Sequence, residues 1–251
     1  MPGRGHLHVK ADGQADGLAL VLLNMALTNL SSWEPFMAAM PEGFRYIRHD
    51  YRGTGQSISD ETEGMPNLDV FARDTLSVLD DLEIDSAILV GSSFGARVAL
   101  KAALLMPRRV AALCLFDASI RQPPRSAELE RTLSLARAAR RSAGIAEQPT
   151  LPKWFRHRNL ELGRRVFLTA RDESQMDASE LCGISAPTIV LTGEFDSNLS
   201  ASREIVGQIE GAQLVTIPAS SHGTIIQRPN EAAHQLVRFL LSDRCAPIWP
   251  R

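Results

Sequence analysis

Cysteine is scarce: the 251 residues hold three, Cys114, Cys182 and Cys245, odd in number and far apart. With no CxxC pair and no histidine-rich spacing beside them, neither a disulfide framework nor a zinc site is expected. Long apolar runs are missing as well. No stretch approaches the ~18 residues of a membrane span, and the opening Met1-Pro2-Gly3-Arg4-Gly5-His6 has no apolar signal region. The sequence therefore implies a cytoplasmic protein with no membrane partner. A net charge of −2 gives no footing for a nucleic-acid binder. The Gly-rich segment Asp50-Tyr51-Arg52-Gly53-Thr54-Gly55-Gln56-Ser57 has no Gly-Lys-Ser/Thr ending, which makes it a turn and not a phosphate loop. No metal and no cofactor are called for, internal repeats are absent, and the partner that remains is a small-molecule substrate.

The composition, 44% hydrophobic and 22% charged, is that of a folded globular chain long enough to bury one large core. Its most informative stretch is Ala87-Ile88-Leu89-Val90-Gly91-Ser92-Ser93-Phe94-Gly95. An apolar run ends in Gly-x-Ser-x-Gly and passes into helix formers that continue to Pro107, the strand-turn-helix setting of a nucleophile elbow. There a serine sits on a strained turn with its hydroxyl exposed, and flanking glycines let neighbouring backbone pass close by. The pattern alone arises by chance roughly once in ten chains of this composition, so its setting carries the argument.

Around the elbow, apolar runs at 18–23 and 110–116 and segments at 44–49, 188–191 and 214–217 read as strands, with a short edge strand at 6–11. Between them lie helices: a short one opening at Ser31-Ser32-Trp33-Glu34-Pro35, and one capped by Asn67 with Phe71, Val78, Leu79 and Leu82 on one face. A final helix carries Ala233, Leu236, Val237, Leu240 and Leu241. This alternation implies an α/β, doubly wound, mostly parallel sheet. The rhythm stops between 119 and 185, where 126–143 reads as helix, Gly144 ends it, and Pro149 and Pro152 precede Trp154-Phe155. The expected organisation is thus a core of residues 1–118 and 186–251 with a short helical cap inserted at 119–185. Residues 121–171 hold twelve Arg or Lys against four Glu, a basic window that suits an anionic substrate, although most such arginines face water on helix surfaces.

A serine hydroxyl is a poor nucleophile at neutral pH and needs a base, which in turn needs a group to fix its tautomer. Ser93, Asp196 and His222 occur in the order serine, acid, histidine. Asp196 follows a strand in Thr192-Gly193-Glu194-Phe195-Asp196-Ser197, where ligand-facing loops of an open parallel sheet lie. Asp117 also closes a strand and competes for the acid's place. His222 lies in a loop before the last helix, whereas His6, His8, His157 and His234 occupy less suitable places and His49 reads as structural. A developing oxyanion needs donors, here the Phe94 amide at a helix start and one from Asn24-Met25-Ala26, with Ala26 favoured. Trp154 is a candidate substrate-binding aromatic or, equally, a packing residue.

Together these residues resemble the α/β-hydrolase superfamily across nearly the whole core. Within it the chain is most similar to 3-oxoadipate enol-lactonases and related small-ester hydrolases, through the run Leu23-Asn24-Met25-Ala26-Leu27-Thr28-Asn29-Leu30-Ser31-Ser32-Trp33, the segment Arg48 to Ser57, the elbow, Ala186 to Asp196 and His222 to Pro229. Leu27, Phe94 and Ala96 depart from that family, which usually has Gly, Met and Gly there. The resemblance implies a serine hydrolase that opens a small lactone bearing a carboxylate through an acyl-enzyme on Ser93. Two other readings use the same scaffold: a cofactor-free lyase or oxygenase with His222 as base, and a receptor that binds without turnover.

Overall fold

The computed structural model describes residues 6–59, 66–120, 126–173 and 176–248. Seven strands form one sheet: β1 (Val9–Gly13), β2 (Leu18–Leu23), β3 (Phe44–His49), β4 (Ala87–Ser92), β5 (Val110–Phe116), β6 (Thr188–Gly193) and β7 (Gln213–Ile217). Their order is β1-β3-β2-β4-β5-β6-β7, with β1 antiparallel to β3 and every other pair parallel. The helices are α1 (Glu34–Ala39), α2 (Leu68–Asp81), α3 (Phe94–Leu105), α4 (Ser126–Ser142), α5 (Leu160–Glu173), α6 (Leu199–Gln208), α7 (Thr224–Gln227) and α8 (Pro229–Leu240). No described helix is long and apolar enough to cross a membrane.

The central strands are apolar along their whole length because both faces of the sheet are covered. Side chains alternate between faces. Val21, Leu23, Leu89, Leu113 and Leu115 join the cluster that α2 and α3 pack into. Leu20, Leu22, Ile88, Val90, Cys114 and Phe116 join the cluster of α1 and α8 on the opposite face. Each fully buried leucine or isoleucine contributes about 2 kcal/mol. On α2, Asn67 caps the first turn by accepting from the Val70 amide at 3.1 Å, and Phe71, Val78 and Leu79 are buried as the spacing requires.

Local chemistry moves several boundaries. The edge strand begins at Val9, not His6, because β3 turns away after His49: the His8 carbonyl accepts from the Asp50 amide at 3.0 Å and the His6 carbonyl from the Ile58 amide at 3.0 Å. The last helix ends at Leu240, so Leu241 stands 68% exposed and does not extend the buried stripe. Between β5 and β6 the described chain forms α4, a 3-10 turn at Pro152–Phe155, α5 and a 3-10 turn at Ala178–Gly183. Leu162, Val166 and Phe167 of α5 enter the same apolar cluster as α2 and α3. Arg121 and Arg125 of the basic window lie outside the described residues.

After β2 the chain adds β3 on one side, then returns to add β4 on the other. The carboxyl ends of β2 and β4 therefore flank a switch point, the crevice where open parallel sheets bind ligands.

Candidate active site

Ser93 follows β4 directly and precedes α3, with φ 54° and ψ −109°. A left-handed φ at a non-glycine residue costs about 1–3 kcal/mol. Two features hold Ser93 there. Its amide donates to the Phe116 carbonyl at 2.8 Å, tying the turn to the end of β5. The glycines on either side permit contacts that no Cβ allows: a methyl at Gly95 would stand 2.1 Å from the Leu23 carbonyl oxygen, and one at Gly91 would stand 2.3 Å from the Gly95 carbonyl oxygen.

The structure brings Ser93, His222 and Asp196 into one hydrogen-bonded row. Ser93 Oγ lies 2.9 Å from His222 Nε2, and His222 Nδ1 lies 3.1 Å from Asp196 Oδ2. A carboxylate can only accept, so the proton belongs on Nδ1 and leaves Nε2 free to accept from the serine. Asp196 is 5% exposed, and its Oδ1 accepts from the Asn198 amide at 2.9 Å. Burial opposes the charged form of His222, but the hydrogen bond and charge of Asp196, with the charge of Asp117, outweigh it and raise the imidazole pKa above its ordinary value.

Asp117, the competing acid, does a different job. Both of its oxygens face the loop carrying His222: Oδ2 accepts from the amides of Gly223 at 2.9 Å and Thr224 at 2.7 Å, and Oδ1 from the Thr224 hydroxyl at 2.6 Å and the Gly193 amide at 3.3 Å. Burial, then the charge of Asp196, pushes its carboxyl up to about 7 against these donors. Helix α4 holds the same loop from the other side. Arg140, 4% exposed, donates through Nη1 to the Ala219 carbonyl and to Gln227 Oε1, both at 2.8 Å. Gln227 then accepts from the Ser221 amide at 3.1 Å and donates to the His222 carbonyl at 2.6 Å. Ser221 in turn donates its hydroxyl to Thr132 of α4 at 2.8 Å.

Ser93 opens into a cavity of about 360 Å³. Ala26 and Phe94, the expected oxyanion donors, both line it. As the first residue of α3, Phe94 has an amide with no acceptor inside the helix. Leu27, beside Ala26, holds φ 61°, in the left-handed region. Its carbonyl accepts from His157 Nε2 at 3.1 Å, while His157 Nδ1 accepts from the Gly55 amide at 2.8 Å, so the backbone donor fixes the tautomer of this bridge.

Of the two places open to Trp154, pocket lining or packing, its position fits packing. It is 1% exposed and absent from the cavity lining, and its carbonyl accepts from the Asn29 amide at 2.8 Å, so it packs against the turn after β2. The lining instead includes Arg97, Ser119, Asn198 and, from α5, Arg164, Phe167 and Leu168. Arg97 was open to discovery, because it stands four residues after Ser93 on the same helix face. The α5 residues were not, since only tertiary packing sets that helix beside the elbow. His49 is buried against Thr75 Oγ1 at 3.1 Å, as a structural histidine should be.

Among the described residues one group has metal-ligand spacing, Asp117, Asp196 and His222, with ligand atoms within 4.8 Å of one another. Four protein donors already face the oxygens of Asp117, and His222 Nδ1 faces Asp196, so these lone pairs are committed within the protein.

Comparison with known proteins agrees with this architecture. Residues 27–237 match the model of the alpha/beta hydrolase family. The chain is 28% identical to the putative carbamate hydrolase RutD of Variovorax paradoxus, over 93% of this chain and 96% of that one. It is 24% identical to 3-oxoadipate enol-lactonase 1 of Acinetobacter baylyi, over 90% of this chain and 89% of that one. The enol-lactonase structure from Burkholderia xenovorans superposes with a TM-score of 0.77 at 26% identity, covering 94% of this chain and 96% of that one. The chain belongs to the alpha/beta hydrolase family.

Proposed function

We propose that the protein is a serine hydrolase of small esters or lactones that works through an acyl-enzyme. The observation that carries this reading is the row from Ser93 Oγ to His222 Nε2 at 2.9 Å and from His222 Nδ1 to Asp196 at 3.1 Å, at the mouth of a cavity sized for a small molecule. Ser93 attacks the acyl carbon while its proton passes to His222, and Asp196 stabilises the resulting imidazolium. The amides of Phe94 and Ala26 receive the charge that develops on the acyl oxygen. As the tetrahedral intermediate collapses, His222 returns the proton to the leaving oxygen. In a lactone that oxygen stays attached to the acyl group. Water, deprotonated by His222, then releases the acid and restores Ser93. Residues 119–185 serve as the cap over this site, which α5 lines from one side.

The names of two relatives point to two acyl substrates, a carbamate and an enol-lactone. We favour the enol-lactone, whose enolate is the better leaving group, and a carbamate is the alternative. Hydrolysis by the purified protein of a panel of short esters, lactones and carbamates tests the reading. Turnover of esters or lactones with a burst of one acyl group per site supports it; no turnover of any member overturns it.

Two further outcomes are expected. His222 acts as base only when neutral, and its pKa is raised above 6.5. The acid limb of the kcat/KM profile should therefore fall above pH 6.5, activity rising as pH climbs through that point; a pH titration of initial rates checks it. Gln227→Leu removes both bonds that Gln227 makes to the His222 loop. It should lower kcat about ten- to a hundredfold with KM little changed, as measured by steady-state kinetics.

A further inference from the structure

We infer that His157 is a positioning residue for the oxyanion hole: through the Leu27 carbonyl it holds the turn that carries the Ala26 amide, so the chain between α4 and α5 keeps one of the donors in place. This rests on the serine-hydrolase reading above and adds to it the group that fixes the second oxyanion donor.

The loop after β2 is anchored at both ends. Asn24 donates through Nδ2 to the His49 carbonyl at 2.9 Å, and its own carbonyl accepts from the Tyr51 hydroxyl at 3.1 Å. At the far end, Asn29 donates through Nδ2 to the carbonyls of Lys153 at 2.7 Å and Arg156 at 2.9 Å. Leu27 stands between these anchors with φ 61° and is 43% exposed. Such a φ costs a leucine about 1–3 kcal/mol and persists only where the surrounding structure over-determines it. A side chain so exposed gives little packing to enforce it. The bond from His157 Nε2 to the Leu27 carbonyl, at 3.1 Å, supplies a restraint at that residue. Without it Leu27 relaxes toward negative φ, and this rotation turns the peptide that joins it to Ala26 and displaces the Ala26 amide.

His157 can hold the turn because it is itself held. Its Nδ1 accepts from the Gly55 amide at 2.8 Å, which leaves the ring proton on Nε2, where it meets Leu27. Gly55 is a firm base: a methyl there would stand 2.1 Å from the Asp50 carboxyl carbon, and Asp50 accepts from the amides of Gln56 and Leu30, each at 2.8 Å. The Arg158 amide donates to the Gly55 carbonyl at 2.6 Å, so the chain beside the ring is tied to the same turn. The imidazole thus spans two loops, accepting from the one after β3 and donating to the one after β2. Lysine and arginine, plentiful in this part of the chain, carry no acceptor and cannot make that bridge. An oxyanion donor acts on charge that develops in the transition state, so its displacement lowers kcat more than it raises KM.

Substitutions that each keep one half of the bridge separate positioning from packing. The amide of glutamine overlays Nε2 of histidine and that of asparagine overlays Nδ1, so His157→Gln keeps the bond to Leu27 and His157→Asn the bond to Gly55. On a good substrate from the ester and lactone panel, His157→Ala should lower kcat about ten- to a hundredfold with KM little changed. His157→Gln should recover most of that loss and His157→Asn little of it, whatever order their melting temperatures take. Should His157→Ala fail to fold, kcat of the glutamine variant against that of the asparagine variant still decides. An unchanged kcat in His157→Ala, a loss carried by KM, or recovery in His157→Asn equal to or greater than that in His157→Gln overturns the inference and leaves the hydrolase reading intact. No turnover of any panel member by the wild type overturns the hydrolase reading and this inference with it.

Discussion

Ser93→Ala is expected to reduce kcat on a good substrate by about 10⁴ to 10⁶ while leaving the fold and melting temperature nearly unchanged. The substitution deletes one oxygen. It keeps a Cβ at the same strained φ of 54°, and it leaves the amide bond to Phe116 and the close approach of Gly95 to Leu23 in place. What disappears is the hydroxyl 2.9 Å from His222, so loss of activity with an intact fold isolates the chemistry from the scaffold. Retention of appreciable turnover, with His222→Ala inactive, would mean that the serine only hydrogen-bonds and that the histidine acts directly on substrate, as in the lyase or oxygenase reading. Tight ligand binding with no turnover in the wild type would mean a receptor.

Asp196→Asn is the second large effect, expected to cost about 10³ to 10⁴ in kcat. An amide nitrogen facing His222 Nδ1 would favour the tautomer that places the proton on Nε2, against Ser93 Oγ, and the imidazolium would lose its counter-charge. Asp117→Asn should behave differently. Asp117 takes four donors, three of them backbone amides and two on each oxygen, so an amide group in its place turns its one nitrogen toward donors whichever way it is oriented. The expected result is a loss of about 1–3 kcal/mol in stability, seen as a lower melting temperature, with activity falling as the His222 loop loosens. Equal kinetic losses with equal melting temperatures in the two variants would contradict this division of labour.

The sequence does not choose between these two acids, because both close strands whose carboxyl ends face the same crevice. The choice lies in the path of the loop holding His222, which Asp117 grips by its backbone and Asp196 meets by its ring. Much else was readable. The apolar runs 18–23 and 110–116 coincide with β2 and β5 because both faces of those strands are buried and polar residues stop them abruptly, and the segment 44–49 coincides with β3. The elbow was readable because its Gly-x-Ser-x-Gly pattern and the apolar run before it lie within nine residues of chain, although the carbonyl that forbids a side chain at Gly95 comes from the distant Leu23. Helices α5 and α6 were not. The apolar stripe of α5, Leu162, Val166 and Phe167, is interrupted by Gly163 and an arginine pair, and α6 buries little beyond Ala201, Ser202 and Ile205. Trp154 shows the same limit, since an aromatic residue beside a site fills either the cavity or the wall behind it, and its neighbour in space, Asn29, is 125 positions earlier.

The central claim is that His222 activates Ser93. Its most direct test is the rate at which a fluorophosphonate modifies the protein, followed by intact mass and peptide mapping in the wild type and in His222→Ala. The account predicts one adduct, on Ser93, forming at least about a hundredfold more slowly without the imidazole. An adduct on another residue, or equal rates in the two proteins, would contradict it.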